Sequence, residues 1–78
     1  MEKRLSQLEK DEEGIIKIIN TKGELRKRLL DMGFIKGVKV KVVRKAPLGD
    51  PIELNLKGFF LSLRLAEADQ IIVTGKND

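Results

Sequence analysis

The chain contains no cysteine, histidine, tryptophan or tyrosine. Without cysteine there is no disulfide framework to stabilise a small fold. Without cysteine and histidine a zinc finger or ribbon cannot be built. The same two absences exclude thiol nucleophiles and triads in which histidine is the base. Carboxylate, lysine, serine and threonine remain for catalysis, and no nucleophile–base pair stands out among them, so the chain does not read as an enzyme. Long apolar runs are lacking as well. A membrane-spanning helix needs about 20 apolar residues, and the longest candidate, "GFFLSLRLA" (58–66), is interrupted by Ser62 and Arg64. The opening "MEKRLSQLEKDEE" (1–13) has neither an apolar core nor a small-residue cleavage site, so it is not a signal peptide. A cytoplasmic protein without membrane insertion is expected.

The 78 residues suffice for one domain, residues 1–78, with 1–13 as a polar lead-in and 75–78 as a tail. A domain of this size hides roughly 60% of the surface its unfolded chain exposes, so its core is small. Sixteen basic residues against 12 acidic ones give a net charge of +4. That balance permits an acidic partner without demanding one. The acidic run "EKDEE" (9–13) reads as a solvated segment rather than a hard-cation site. Without histidine or cysteine a tight ferrous site is poorly provided for, and no metal ligand or cofactor is assigned.

Residues 14–20, "GIIKIIN", are β-branched and bounded by turn formers, so they predict a strand. Residues 21–33, "TKGELRKRLLDMG", predict a helix. Thr21 and Glu24 have capping-box spacing. Leu25, Leu29 and Met32 form an apolar stripe, and Gly33 supplies a left-handed C-cap. Lys36 and Gly37 mark a turn. Val38, Val40 and Val42 then alternate with Lys39 and Lys41, a strand with one wet face, and Val43 breaks the alternation where a bulge is expected. In "APLGDPI" (46–52), Pro47 and Pro51 fix φ and push the preceding residue into extended backbone. Gly49 can take positive φ between them, so the stretch is a stiff corner. Asp50 is expected to accept a nearby backbone N–H there. Residues 52–56 and 59–64 predict a hairpin across Lys57 and Gly58. Residues 65–70 predict a helical turn, and 71–75 a final strand. Five short strands with one helix after the first predict a mainly β fold, a small SH3-like barrel closed to protect its edges.

Fold-determining roles are assigned to Gly33, Gly37, Pro47, Gly49, Asp50 and Pro51. Strand parity places Phe59 inside and Phe60, Ser62 and Arg64 outside. Phe60 is a candidate interface anchor, since aromatics are enriched at interface cores. Arg64 shares its face, with Glu67 three residues on as an ion-pair partner. Arg26 and Lys27 on the helix are further contact candidates. The lysine stripe Lys39, Lys41 and Lys45 reads as a solvated face or one for an acidic protein. No nucleic acid is expected, because stacking platforms and recognition motifs are lacking. Barrel edges would allow two chains to pair as a homodimer.

Taken in order, "RLLDMGF" (28–34), Gly37, "VV" (42–43), "APLGDPI" (46–52), "LR" (63–64), Glu67-Ala68, Ile71 and Val73 resemble the FeoA family of bacterial ferrous iron transport. The resemblance runs from Leu5 to Val73, and "APLGDPI" is its most specific piece. It implies an SH3-like barrel and a non-enzymatic, regulatory accessory of the FeoB membrane permease, docking on its cytoplasmic G-protein region. The same domain resembles the C-terminal domain of DtxR-type repressors, which implies as an alternative a metal-responsive domain with weak divalent-metal binding. One departure is Lys36, where family members often have proline before the glycine.

Overall fold

The computed structural model describes residues 1–75. Six antiparallel strands form one sheet: β1 (Glu2–Arg4), β2 (Glu13–Ile19), β3 (Lys39–Lys45), β4 (Ile52–Leu56), β5 (Phe59–Leu63) and β6 (Ile71–Gly75). Helix α1 (Gly23–Asp31) follows β2, and the single turn of α2 (Leu65–Ala68) links β5 to β6. The strands lie in the order β1-β6-β2-β3-β4-β5. The mainly β architecture with an inserted helix is as expected from the sequence. Its strand count is higher by one, because residues 2–4 of the lead-in pair with β6. Nothing in "EKR" alternates in hydropathy, so this strand exists only through its partner. β1 and β5 end the strand order, so the sheet has two edges where a closed barrel would have none.

The core is the inner face of this sheet. Ile16, Val40, Val42, Leu54, Ile71 and Val73 are buried by period-2 alternation, and Leu29 and Phe34 cover them. The lead-in contributes more than its polarity suggests. A single 3-10 turn, Leu5–Gln7, brings Leu5 and Leu8 into the core, at the three-residue spacing that stacks side chains in such a turn. Gly14 lets β2 and β6 approach: a Cβ there would lie 2.9 Å from Val73 Cγ2.

Local backbone chemistry sets the corners. α1 begins at Gly23 (φ +67°), with Lys22 in the extended N-cap position and no side-chain cap. The capping box expected from Thr21 and Glu24 is therefore not formed, since the helix starts too late for Thr21 to reach its first turn. The other end is a Schellman motif. Phe34 N–H donates to Leu29 O and Gly33 N–H to Leu30 O, both at 3.0 Å, with Gly33 at φ +105°. Val38 N–H then donates to Ile35 O across a turn whose third residue, Gly37, has φ +91°. Proline suits the second position of such a turn, and Lys36 fills it here without loss of the hydrogen bond. The register slips between Val42 and Arg44, so the expected bulge at Val43 is present. A second slip, between Ile16 and Ile18, turns Lys17 outward.

Candidate functional site

The hairpin β4–β5 forms one edge of the molecule. Lys57 (φ +53°) and Gly58 (φ +86°) both take left-handed backbone, the two-residue turn that matches strand twist. Asn55 Oδ1 accepts the Gly58 N–H at 3.0 Å and pins that turn. Phe60 is 75% exposed, on the face that parity predicts. Phe59 is 74% exposed, which corrects its assignment to the interior. It shares the face of Leu56, its cross-strand partner. But Leu56 is the last buried rung, and no element among the described residues covers the position beside it on β5. Two neighbouring phenylalanines therefore stand free on opposite faces of one edge strand.

Across the outer face, Glu13, Lys41, Asn55 and Phe60 follow one another on adjacent strands. Lys39, Lys41 and Lys57 line a shallow hollow beside this row. Lys39 lies 3.6 Å from Glu13, whereas Lys41 and Lys57 have no acidic partner among the described residues. Farther along, Arg44 and Glu53 neutralise each other at 2.5 Å.

Arg64 stands one residue beyond β5, at the start of α2. Its expected ion pair with Glu67 is not made. Glu67 Oε1 instead accepts the Arg64 backbone N–H at 2.9 Å, and its other oxygen meets the Arg28 guanidinium of α1. That carboxylate joins α1 to α2 and leaves the Arg64 side chain without an acidic partner among the described residues. Arg26 and Lys27 lie on α1. Arg26 Nη1 donates to Ile19 O at 2.7 Å and fastens the helix to the end of β2. Lys27 is exposed beside Glu24, Arg28 and Asp31 around a second hollow.

The corner before β4 is closed by its own backbone. Ala46 N–H donates to Pro51 O at 3.1 Å, and Gly49 N–H to Ala46 O at 2.7 Å. Gly49 has φ +83°, and the Asp50–Pro51 bond is cis. Asp50 does not accept a local N–H as expected. Its Oδ1 accepts the N–H of Leu65, 15 residues away, at 3.0 Å. The corner is thereby fastened to the first turn of α2, and Leu48 stands 95% exposed at its apex.

At the opposite edge, Glu12 gathers the lead-in. Oε1 accepts the Glu9 N–H at 2.9 Å and Oε2 the Lys3 ammonium at 3.1 Å. The Glu9 N–H, then Lys3, hold this carboxyl below the ordinary glutamate range. Ser6 donates to Asp69, and Lys17 pairs with Glu2. Glu2 and Lys3, two of the three charges on β1, are thus paired, in contrast to the bare edge at β5. No group of three or more acidic side chains is placed to hold a metal ion among the described residues.

Comparison with known proteins gives this geometry a family. The chain matches the FeoA domain over residues 3–75. It belongs to the FeoA family. It is 39% identical over 70 residues to an Fe(2+) transport protein A/Fe(2+) transporter FeoB fusion protein of Porphyromonas gingivalis, covering 90% of this chain and 8% of that protein. The chain thus spans under a tenth of that curated relative. The NMR structure of an FeoA-like protein from Clostridium acetobutylicum superposes with a TM-score of 0.89 at 35% identity, over 96% of this chain and 87% of that one. The Stenotrophomonas maltophilia FeoA complexed with zinc, described as a procaryotic SH3 domain protein, gives 0.79 at 27% identity over 88% and 86%. A manganese-dependent transcriptional repressor shares the fold alone, with a TM-score of 0.86 at 13% identity over 95% of this chain and 41% of that one. The FeoA fold is therefore SH3-like, as the strand pattern suggested. No helix among the described residues is long and apolar enough to cross a membrane.

Proposed function

We propose that this FeoA protein is a non-enzymatic accessory of bacterial ferrous iron uptake that docks on the cytoplasmic part of a FeoB-type permease. The observation that carries this reading is the relative in which protein A and FeoB are a single polypeptide. Covalent fusion holds two units at a high effective concentration, which serves proteins that work in contact. The chemistry on the surface agrees with a binding role. Exposed phenylalanine and unpaired cations are suited to contact and steering, and the unpaired arginine adds to them. Phe60 and Arg64 belong to the docking surface in this reading, with Arg26 and Lys27 on α1.

Titration of the labelled protein with the soluble G-protein region of its cognate FeoB, at physiological salt, tests the proposal. Localised NMR shifts are expected, and Phe60→Ala should weaken binding by about tenfold or more, as loss of an interface anchor does. The reading fails if neither that region nor the intact permease in detergent binds the protein.

A further inference from the structure

We infer that β5 is a docking edge that takes up an extended acidic segment of a partner protein as an added antiparallel strand. The inference rests on the reading of this chain as a docking module, and it adds the mode of contact and the chemistry of the partner.

Hairpin geometry shows which backbone groups are open. A two-residue turn closes on a hydrogen-bonded pair, here Leu56 and Phe59, so that Leu54–Leu61 and Ile52–Leu63 are the other bonded rungs. The N–H and C=O of Phe60 and Ser62 then point away from β4. The neighbouring strands agree with this phase. Val42 exchanges hydrogen bonds with the β2 side (Val42 N–H to Glu12 O, Val42 O from Asp11 N–H), which leaves Leu54, opposite Val42, free to bond across to β5. The open run is short, because the backbone of Arg64 is already taken up by α2 and Glu67.

Natural proteins protect such edges with charge, proline or a covering element. β1 has that protection in three consecutive charged residues, Glu2, Lys3 and Arg4. β5 reads "FFLSL" and has none. Charge selects the occupant. Residues 54–66 include Lys57 and Arg64 but no acidic residue, and Lys41 lies in the row that ends on Phe60. A second copy of this chain is disfavoured on that ground. Antiparallel β5–β5 pairing through Phe60 and Ser62 would set each Lys57 beside the other copy's Arg64. An acidic segment meets both cations, and its apolar residues cover Phe59 and Leu61.

The test uses the full chain, isotope-labelled, and a capped seven-residue peptide of alternating glutamate and valine. Slowed amide exchange at Phe60 and Ser62, with shifts confined to residues 57–64, is the expected result. A lysine-for-glutamate peptide should bind about tenfold more weakly or worse. N-methylation of alternate peptide amides should abolish binding, which a purely electrostatic contact would not require. Ser62→Pro removes one outward N–H without touching the ladder to β4, and should abolish binding while the variant's own β2 and β3 resonances stay at their native positions, which shows that it is folded. Lys57→Asp, at a left-handed position that aspartate tolerates, should weaken it without risk to the strand. Binding that survives N-methylation and Ser62→Pro, or the absence of binding, overturns the proposal. So does protection of Phe60 and Ser62 in the protein alone with a dimer by sedimentation, which would assign the edge to a second copy. FeoB binding that leaves residues 57–64 unshifted would keep the docking function and reject this edge.

Discussion

Asp50 shows how a single residue reaches beyond its own turn. Its carboxylate accepts the Leu65 N–H and so ties the proline-rich corner to α2. Asp50→Ala should lower stability by about 1 kcal/mol, the usual loss for a helix cap, as measured by urea unfolding. An unchanged midpoint would show that the tie contributes nothing. Gly14 acts through the space it leaves. Gly14→Ala should cost about 1–3 kcal/mol, because β2 or β6 must shift to relieve the contact with Val73. Glu12 carries a pH dependence. Its carboxyl titrates below the ordinary range in the folded protein because the Glu9 N–H and Lys3 favour the ionised form. A depressed folded pKa adds stability above the unfolded pKa, and that stability is lost as pH falls through the lower folded value. An NMR titration of Glu12 should place its midpoint below that of a free glutamate, and a midpoint at or above it would contradict the clamp.

Elements are held here mainly by their ends. α1 has a weak start at Gly23 and a well-satisfied finish at Gly33, where the two Schellman hydrogen bonds place Phe34 in the core. Gly33→Ala forces a side chain into left-handed backbone and 3.3 Å from Leu56 Cδ2, so a loss of about 1–2 kcal/mol is expected from thermal unfolding. The β5 strand behaves in the opposite sense. Phe60 makes little use of the fold, so Phe60→Ala should leave stability within about 0.5 kcal/mol while docking falls. Comparable losses of stability and binding would show that Phe60 acts through the fold rather than through the docking contact.

At the scale of the whole molecule, charge and apolar surface are unevenly shared between the two sheet edges. The β1 edge presents charges of both signs, two of them paired, and the β5 edge presents phenylalanines flanked by Lys57 and Arg64. With a net charge of +4, an acidic partner is drawn in over distances set by ionic strength. Docking on the permease should therefore weaken as salt is raised from 0.05 to about 0.5 M, mostly through slower association, in surface plasmon resonance. Salt-independent association would place the cations outside the contact.

Features legible from the residues alone were those set by local backbone and period-2 patterning. The Gly33 terminus, the Gly37 turn, the Lys57–Gly58 hairpin and the bulge at Val43 each follow from a few neighbouring residues, because φ preference and side-chain alternation act locally. Membership of the inner face for Val40, Val42, Leu54 and Leu63 followed in the same way. Pairing of β1 with β6 was not legible, since "EKR" has no pattern of its own. Nor were the partners of Asp50 and Glu67, which lie on elements that meet only when the chain has folded. Phe59 is the sharpest case. Its parity directs it inward, but whether inward means buried depends on where the covering layer stops, and that boundary is a property of the packed molecule.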